Sequence, residues 1–188
     1  MRPERSQIKG VPIVYLNVLQ KGRDLFRDYP NVREPAQAKQ AALANPTFSW
    51  HATALQVQRQ RFVLLNHDAS ALCVVLNATA TDQPRLADQF WDQLAQQWPQ
   101  YGLPAADLAT YRQAAGAWQI MAPSDHRQVR RLSEQGMYVD FLWQQGITSP
   151  LEMALLVAQT PPLGRQLPRH QVATIATDLA PSRFRWRE

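Results

Sequence analysis

Three apolar segments between Ala52 and Leu76 constrain the fold of this chain more than any other feature. From Ala52 to Gln58 the residues alternate, with Leu55 and Val57 on one face and Gln56 and Gln58 on the other. That is the two-residue period of a half-buried strand. Arg61 to Asn66 and Ala71 to Leu76 are strongly apolar and of strand length. Arg59-Gln60 makes a short turn without the Asn-Gly chemistry of the best hairpins, and His67-Asp68-Ala69-Ser70 links the last two segments. The expectation is an antiparallel three-stranded meander whose last two strands are central.

The remaining segments are read as cover for that meander. Val11 to Leu16 is a short β-branched run, and Asn17 is placed to cap a helix over Val18 to Asp28. Pro35 opens an Ala/Gln-rich helix to Ala44, closed by Asn45-Pro46. Asp82 to Trp98 is the clearest amphipathic helix, because Leu86, Phe90 and Leu94 recur at spacings of four with Trp91 and Trp98 beside them. Burying that stripe is worth on the order of 10 kcal/mol before conformational entropy is charged. Ala105 to Ala114 makes a helix ending near Gly116, Trp118 to Met121 a short strand, and Asp125 to Gln144 a long helix. Ser149-Pro150-Leu151-Glu152 forms a capping box for a last short helix. Val172 to Ala176 is read as an edge strand and Pro181 onward as a tail. The fold class is therefore α+β: a mainly antiparallel sheet with a central meander and helices packed on one face. Residues 1–146 form a single domain, and 147–188 a C-terminal extension packing on it or trailing from it.

Composition narrows the chemistry. With 188 residues the chain can bury a self-sufficient core. Its net charge is +5, and the only lysines among its 20 cationic residues are Lys9, Lys21 and Lys39. Arginine offers a planar fork for phosphate or carboxylate, which lysine does not. A lone cysteine, Cys73, excludes an intramolecular disulfide and a cysteine-rich zinc site. No segment approaches the roughly 20 apolar residues of a membrane span, and the N-terminus lacks a cleavable leader pattern. The expected setting is cytoplasmic, with no membrane association and no cofactor.

Candidate functional residues gather at the strand ends. His51 follows Trp50 at the mouth of the first strand, and an imidazole there suits general acid–base work. In a two-residue hairpin Asn66 and His67 lie close to His51, while Arg59 and Arg61 fall at the opposite end. His51, His67 and Asp68 fit no metal-ligand spacing, so no metal is expected. Pro123-Ser124-Asp125-His126-Arg127 opens a helix whose N-terminus, with Arg127, Arg130 and Arg131, could attract an anion unless Asp125 itself caps it. The tail Arg183-Phe184-Arg185-Trp186-Arg187 interleaves arginines with aromatics, a weak signal for stacking on bases.

The Ser49-Trp50-His51-Ala52 strand, Arg59 and Arg61 before an apolar strand ending in Asn66, and the later Asp125-His126-Arg127 together resemble an uncharacterised bacterial domain family. Its members share a Trp-His-Ala strand, an Arg-bearing turn, a strand-ending Asn and a later Asp-Arg, and some are plasmid- or transposon-associated. Asn17-Val18-Leu19-Gln20-Lys21 falls where that family has its opening strand and helix. The resemblance spans roughly Val11 to Trp143 and implies a fold and a candidate surface, with no catalytic activity attached.

Three functions follow as expectations. The first is a non-enzymatic binding or regulatory protein that contacts nucleic acid through Arg59, Arg61, Arg127, Arg130 and Arg131, with Trp50 alongside them. The second is an enzyme acting on a phosphorylated or nucleotide substrate, with His51 as acid–base, Asn66 as orienter and Arg61 or Arg127 as anion clamp. The third is a protein–protein interaction subunit, either with a different partner or as a homodimer.

Overall fold

The computed structural model describes residues 13–79 and 85–159. Strands Ile13–Val18 (β1), Ser49–Val57 (β2), Gln60–His67 (β3), Cys73–Asn77 (β4) and Ala117–Met121 (β5) form one sheet in the order β4-β3-β2-β1-β5. The helices are Pro35–Ala44 (α1), Leu86–Gln97 (α2), Ala105–Ala115 (α3), His126–Gln144 (α4) and Pro150–Gln159 (α5). The sequence-predicted strand Val172 to Ala176 and the Arg183–Arg187 tail lie outside the described residues.

The meander pairs as expected, β2 antiparallel with β3 and β3 with β4, but β4 lies at the sheet edge and β2 in the middle, which corrects the reading that the last two strands are central. Its first turn falls one residue earlier than expected, at Gln58-Arg59, with Gln58 at φ 53° and Val57 opposite Gln60. The sheet as a whole is mixed, which corrects the mainly antiparallel reading. β1 runs parallel to both β2 and β5. Parallel neighbours require a crossover of a dozen or more residues, and the 3₁₀ turn Gln20–Phe26 followed by α1 provides one between β1 and β2. The helix expected over Val18 to Asp28 does not form as such. Val18 stays in β1, and Asn17 lies within the strand rather than capping a helix.

Helices cover both faces, which corrects the one-face arrangement. Val63, Leu65, Val74 and Leu76 face a first core cluster with Phe90 and Leu94 of α2 and Leu108 and Tyr111 of α3. Phe62, Leu64, Cys73 and Val75 face a second, with Leu132 and Val139 of α4 and Met153, Ala154 and Val157 of α5. The reason lies in the strands themselves. β3 and β4 are apolar at successive positions, so both pleat faces must be removed from water. Each large side chain so buried contributes about 1.5–3 kcal/mol relative to leaving it exposed.

The first cluster is aromatic-rich. Trp50 packs edge-on to Phe90 with centroids 4.9 Å apart, and its Nε1 donates to the Tyr111 hydroxyl at 2.9 Å. Behind β2, Gly22 lies so close to the sheet that an added Cβ would come within 3.0 Å of the Ala54 nitrogen. By contrast α1 is held lightly: only Ala38 and Ala42 are buried, in a small cluster with Met121.

Candidate functional site

Pairing register decides which polar side chains meet. Met121 lies opposite Asn17, Asn17 opposite His51, and His51 opposite Asn66. Residues opposed across neighbouring strands share a face, so a polar row crosses β1, β2 and β3 on the face covered by α4. Two residues before His51, Ser49 carries the same face toward the β3–β4 turn, where the Asp68 amide donates to the Ser49 carbonyl at 3.0 Å. The register thus folds a turn carboxylate back over the strand that holds the imidazole.

Asp68 bridges two side chains. Its Oδ1 lies 2.6 Å from His51 Nδ1, and its Oδ2 accepts the Ser49 hydroxyl. A carboxylate accepts, so Nδ1 carries the hydrogen and the neutral ring keeps its lone pair on Nε2. Asn17 completes the arrangement by donating to Ser49 Oγ and to the Trp50 carbonyl, both at 3.1 Å. Ser49 therefore directs its proton at Asp68, not at a substrate. His51 is 2% exposed, and its Nε2 has no hydrogen-bond partner among the described residues. A buried polar atom without a partner costs free energy, so it asks for an explanation.

His51 also lines a cleft of about 210 Å³. Asn17, Ser49 and Asp68 share its polar side with Gln128, while Lys39 and Leu43 of α1 and Arg127 of α4 edge it. Asp125 lies there too, but its carboxylate is committed: it caps α4 by accepting the Arg127 amide at 2.9 Å. Burial pushes the Asp125 carboxyl upward. The Arg127 amide and guanidinium and the nearby His51 outweigh that and hold it below the usual carboxylate range. Because Asp125 occupies the α4 N-terminus, that terminus is not a free anion site.

Asn66 does not reach the cleft. Its amide donates to Gln128 Oε1 at 3.0 Å and accepts from Gln135 Nε2 at 3.1 Å, clamping α4 onto β3. Gln128 in turn donates to the Asp68 carbonyl at 3.0 Å and accepts from Arg131 at 3.2 Å. Burial lowers the proton affinity of the Arg131 guanidinium, against the opposing pull of Asp68, Asp125 and Glu134. His67 points to the other face, where its ring nitrogens engage Ser70 and the Thr47 carbonyl beside Trp50. Trp50 is likewise core, away from the cleft.

The five arginines do not form one surface. Arg59 and Arg61 sit at the hairpin end, and Arg61 pairs with Asp24 at 2.7 Å. Arg127, Arg130 and Arg131 lie on the first turns of α4, where Arg130 pairs with Glu134 at 2.9 Å. Of the residues singled out in the sequence, His51 and Arg127 line the cleft, while Asn17, Ser49, Lys39 and Gln128, which also line it, were not named as candidates. The Ser49-x-His51 alternation was a usable signal, since alternate strand residues share a face.

A family model matches residues 20–166. The chain belongs to the family described as a domain of unknown function, DUF6933. A search of curated proteins returns no match. The DUF6933 span takes in Lys39, His51, Asp68 and Arg127 but begins after β1, so Asn17 is the one residue of the polar row outside it. It also runs on through α5. Among the described residues of this DUF6933 chain no helix is long and apolar enough to cross a membrane, and no cluster of three or more His, Cys, Asp or Glu side chains is placed to hold a metal ion.

Proposed function

We propose that this chain is a cytoplasmic enzyme acting on a phosphorylated substrate, with His51 as the group that moves the proton. One observation carries the reading: His51 lines a cleft with its Nε2 buried and unpartnered among the described residues, while Asp68 fixes the ring through Nδ1. That is how a general base is oriented in hydrolytic sites. Lys39 and Arg127 at the cleft supply positive charge for phosphoryl oxygens; Arg127, 91% exposed, would exchange its pairing with Asp125 at 3.4 Å for the ligand.

In this reading the ring shifts enough to bring Nε2 to the cleft, where it accepts a proton from water as the water oxygen bonds to phosphorus. The imidazolium, stabilised by Asp68, then protonates the ester oxygen as its bond to phosphorus breaks. One ester and one water give one alcohol and one phosphate. The test is phosphate release from a panel of small phosphate esters by the full chain and by His51→Gln. Turnover that falls about 10²–10⁴-fold in the variant is expected. No turnover by the unmodified chain, or equal turnover by both, overturns the proposal.

One observation favours a second reading, as a protein-interaction subunit. α4 leaves Met137 and Phe141 65% and 51% exposed, one turn apart. Such a strip suits an apolar partner surface or a second copy. A concentration-dependent molar mass in light scattering that Phe141→Ser abolishes would favour it. A nucleic-acid surface has less support, because its arginines are separated and three of them are already paired with carboxylates.

A further inference from the structure

We infer that the cleft takes a small aryl or short-chain phosphate monoester whose carbon group rests on α1 and its neighbours, and not a whole nucleotide. This rests on the acid–base reading and adds the identity of the substrate. Size comes first. At about 210 Å³ the cleft falls below the roughly 300–1,000 Å³ that encloses drug-sized ligands. A phosphate with a compact substituent is held within it, whereas a base and ribose together would project from its open mouth.

The lining is divided by chemistry. Asn17, Ser49, His51 and Gln128 offer polar atoms on the sheet and α4 side. Ala42, Leu43, Pro46 and Met121 make an apolar wall contributed by α1, the turn after it and β5. Leu43 is the telling member. It lines the cleft yet is 65% exposed, so core packing does not account for its placement. An apolar group entering the cleft would remove it from water.

Charge selects the other end of the ligand. The cleft holds two cations, Lys39 and Arg127, and two carboxylates, Asp68 and Asp125. The carboxylates are engaged within the protein, Asp68 by His51 and Ser49 and Asp125 by the α4 N-terminus. Lys39 has no ion pair among the described residues, whereas the Arg127 guanidinium pairs with the Asp125 carboxylate at 3.4 and 3.5 Å. The uncommitted charge is therefore positive and is that of Lys39 on α1, with Arg127 of α4 available to a ligand that displaces its exposed pairing with Asp125. A ligand satisfying both parts has a compact anionic head and a short apolar body.

The experiment compares phenyl phosphate, glycerol phosphate and adenosine monophosphate for binding by calorimetry and for turnover. The variants are Leu43→Ser, Lys39→Ala/Arg127→Ala and His51→Gln, the first two altering only exposed side chains. The expected result is that phenyl phosphate has the highest kcat/KM. Leu43→Ser lowers it about tenfold through KM, and the double variant weakens every phosphate ester. Adenosine monophosphate used as well as phenyl phosphate, or an unchanged KM in Leu43→Ser, overturns the substrate class while leaving the acid–base reading intact. Phenyl phosphate bound in the cleft but never hydrolysed, equally by His51→Gln, sinks the acid–base reading and leaves the ligand class standing. Absence of binding by all three compounds overturns the class.

Discussion

Asp68 holds its carboxylate 2.6 Å from His51 Nδ1 although 17 residues separate the two in sequence. The contact exists because the β2–β3 register places the β3–β4 turn beside the start of β2. Replacing Asp68 with Asn removes the charge that stabilises an imidazolium and no longer dictates the tautomer. The fold should survive, with turnover falling about 10³–10⁴-fold, the scale seen when an orienting carboxylate becomes an amide. Nitrogen-detected NMR of the His51 ring should show the Nδ1–H form in the parent and loss of that preference in Asp68→Asn. An unchanged tautomer would show that something else orients the ring.

Tyr111→Phe tests the aromatic core. The hydroxyl accepts Trp50 Nε1 at 2.9 Å and donates to the Thr47 carbonyl at 3.0 Å. Its loss leaves the buried indole N–H without that acceptor and should cost about 1–3 kcal/mol in urea unfolding. Because Trp50 faces away from the cleft, kcat should not change. A variant as stable as the parent would mean the indole finds another partner.

At Gly22 the expected damage is steric. A Cβ there meets backbone, at 3.0 Å from the Ala54 nitrogen and 3.3 Å from the Thr53 carbonyl carbon. Backbone cannot swing aside as a flexible side-chain tip can. Gly22→Ala should destabilise the protein by about 1–3 kcal/mol, seen as a lower melting temperature.

The Asp24–Arg61 pair predicts a pH dependence with a definite sign. The Arg61 hydrogen bond is the main cause holding the Asp24 carboxyl below its ordinary 3.8. A lowered carboxylate contributes stability that is present above 3.8 and lost as pH falls through the folded-state value. Both side chains are partly exposed, so the contribution at neutral pH should lie within about 0.2–1 kcal/mol. Arg61→Ala should therefore be slightly less stable than the parent at pH 7 and match it at strongly acidic pH. A gap that widens with acidification would reverse the assignment.

Cys73 should be inert in the folded protein. It is completely buried in β4, and burial pushes its thiol up to about 12. A thiol reagent at pH 8 should label the chain only as fast as it opens, with urea accelerating the reaction. Rapid stoichiometric labelling of native protein would contradict the burial.

How much of this was legible in the sequence depended on locality. The meander was readable because Leu55, Val57 and the runs through Leu65 and Val75 carry their period within a few residues. The parallel pairing was not. Nothing local to Ile13–Val18 says that it lies between β2 and β5, and Asn17 before Val18-Leu19 has the form of a helix cap. Asn66 looked like a site residue because it ends a strand beside His51, yet Gln128 and Gln135, more than sixty residues later, claim its amide. Gln128 and Lys39 gave no signal at all, since an exposed-looking polar residue on a helix reads the same whether it faces a cleft or solvent.

The placement of β1 between β2 and β5 also orders events in time. The first described strand to leave the ribosome pairs on one side with a strand beginning at Ser49 and on the other with one beginning at Ala117. Loop closure over such separations is slow compared with hairpin formation. The β2–β4 meander, being local, is expected to form while β1 still waits, leaving Ser49 and Asp68 in place but Asn17 absent. The cleft would then be the last part of the molecule to mature, and a chain stalled before Met121 would carry His51 without a finished pocket around it.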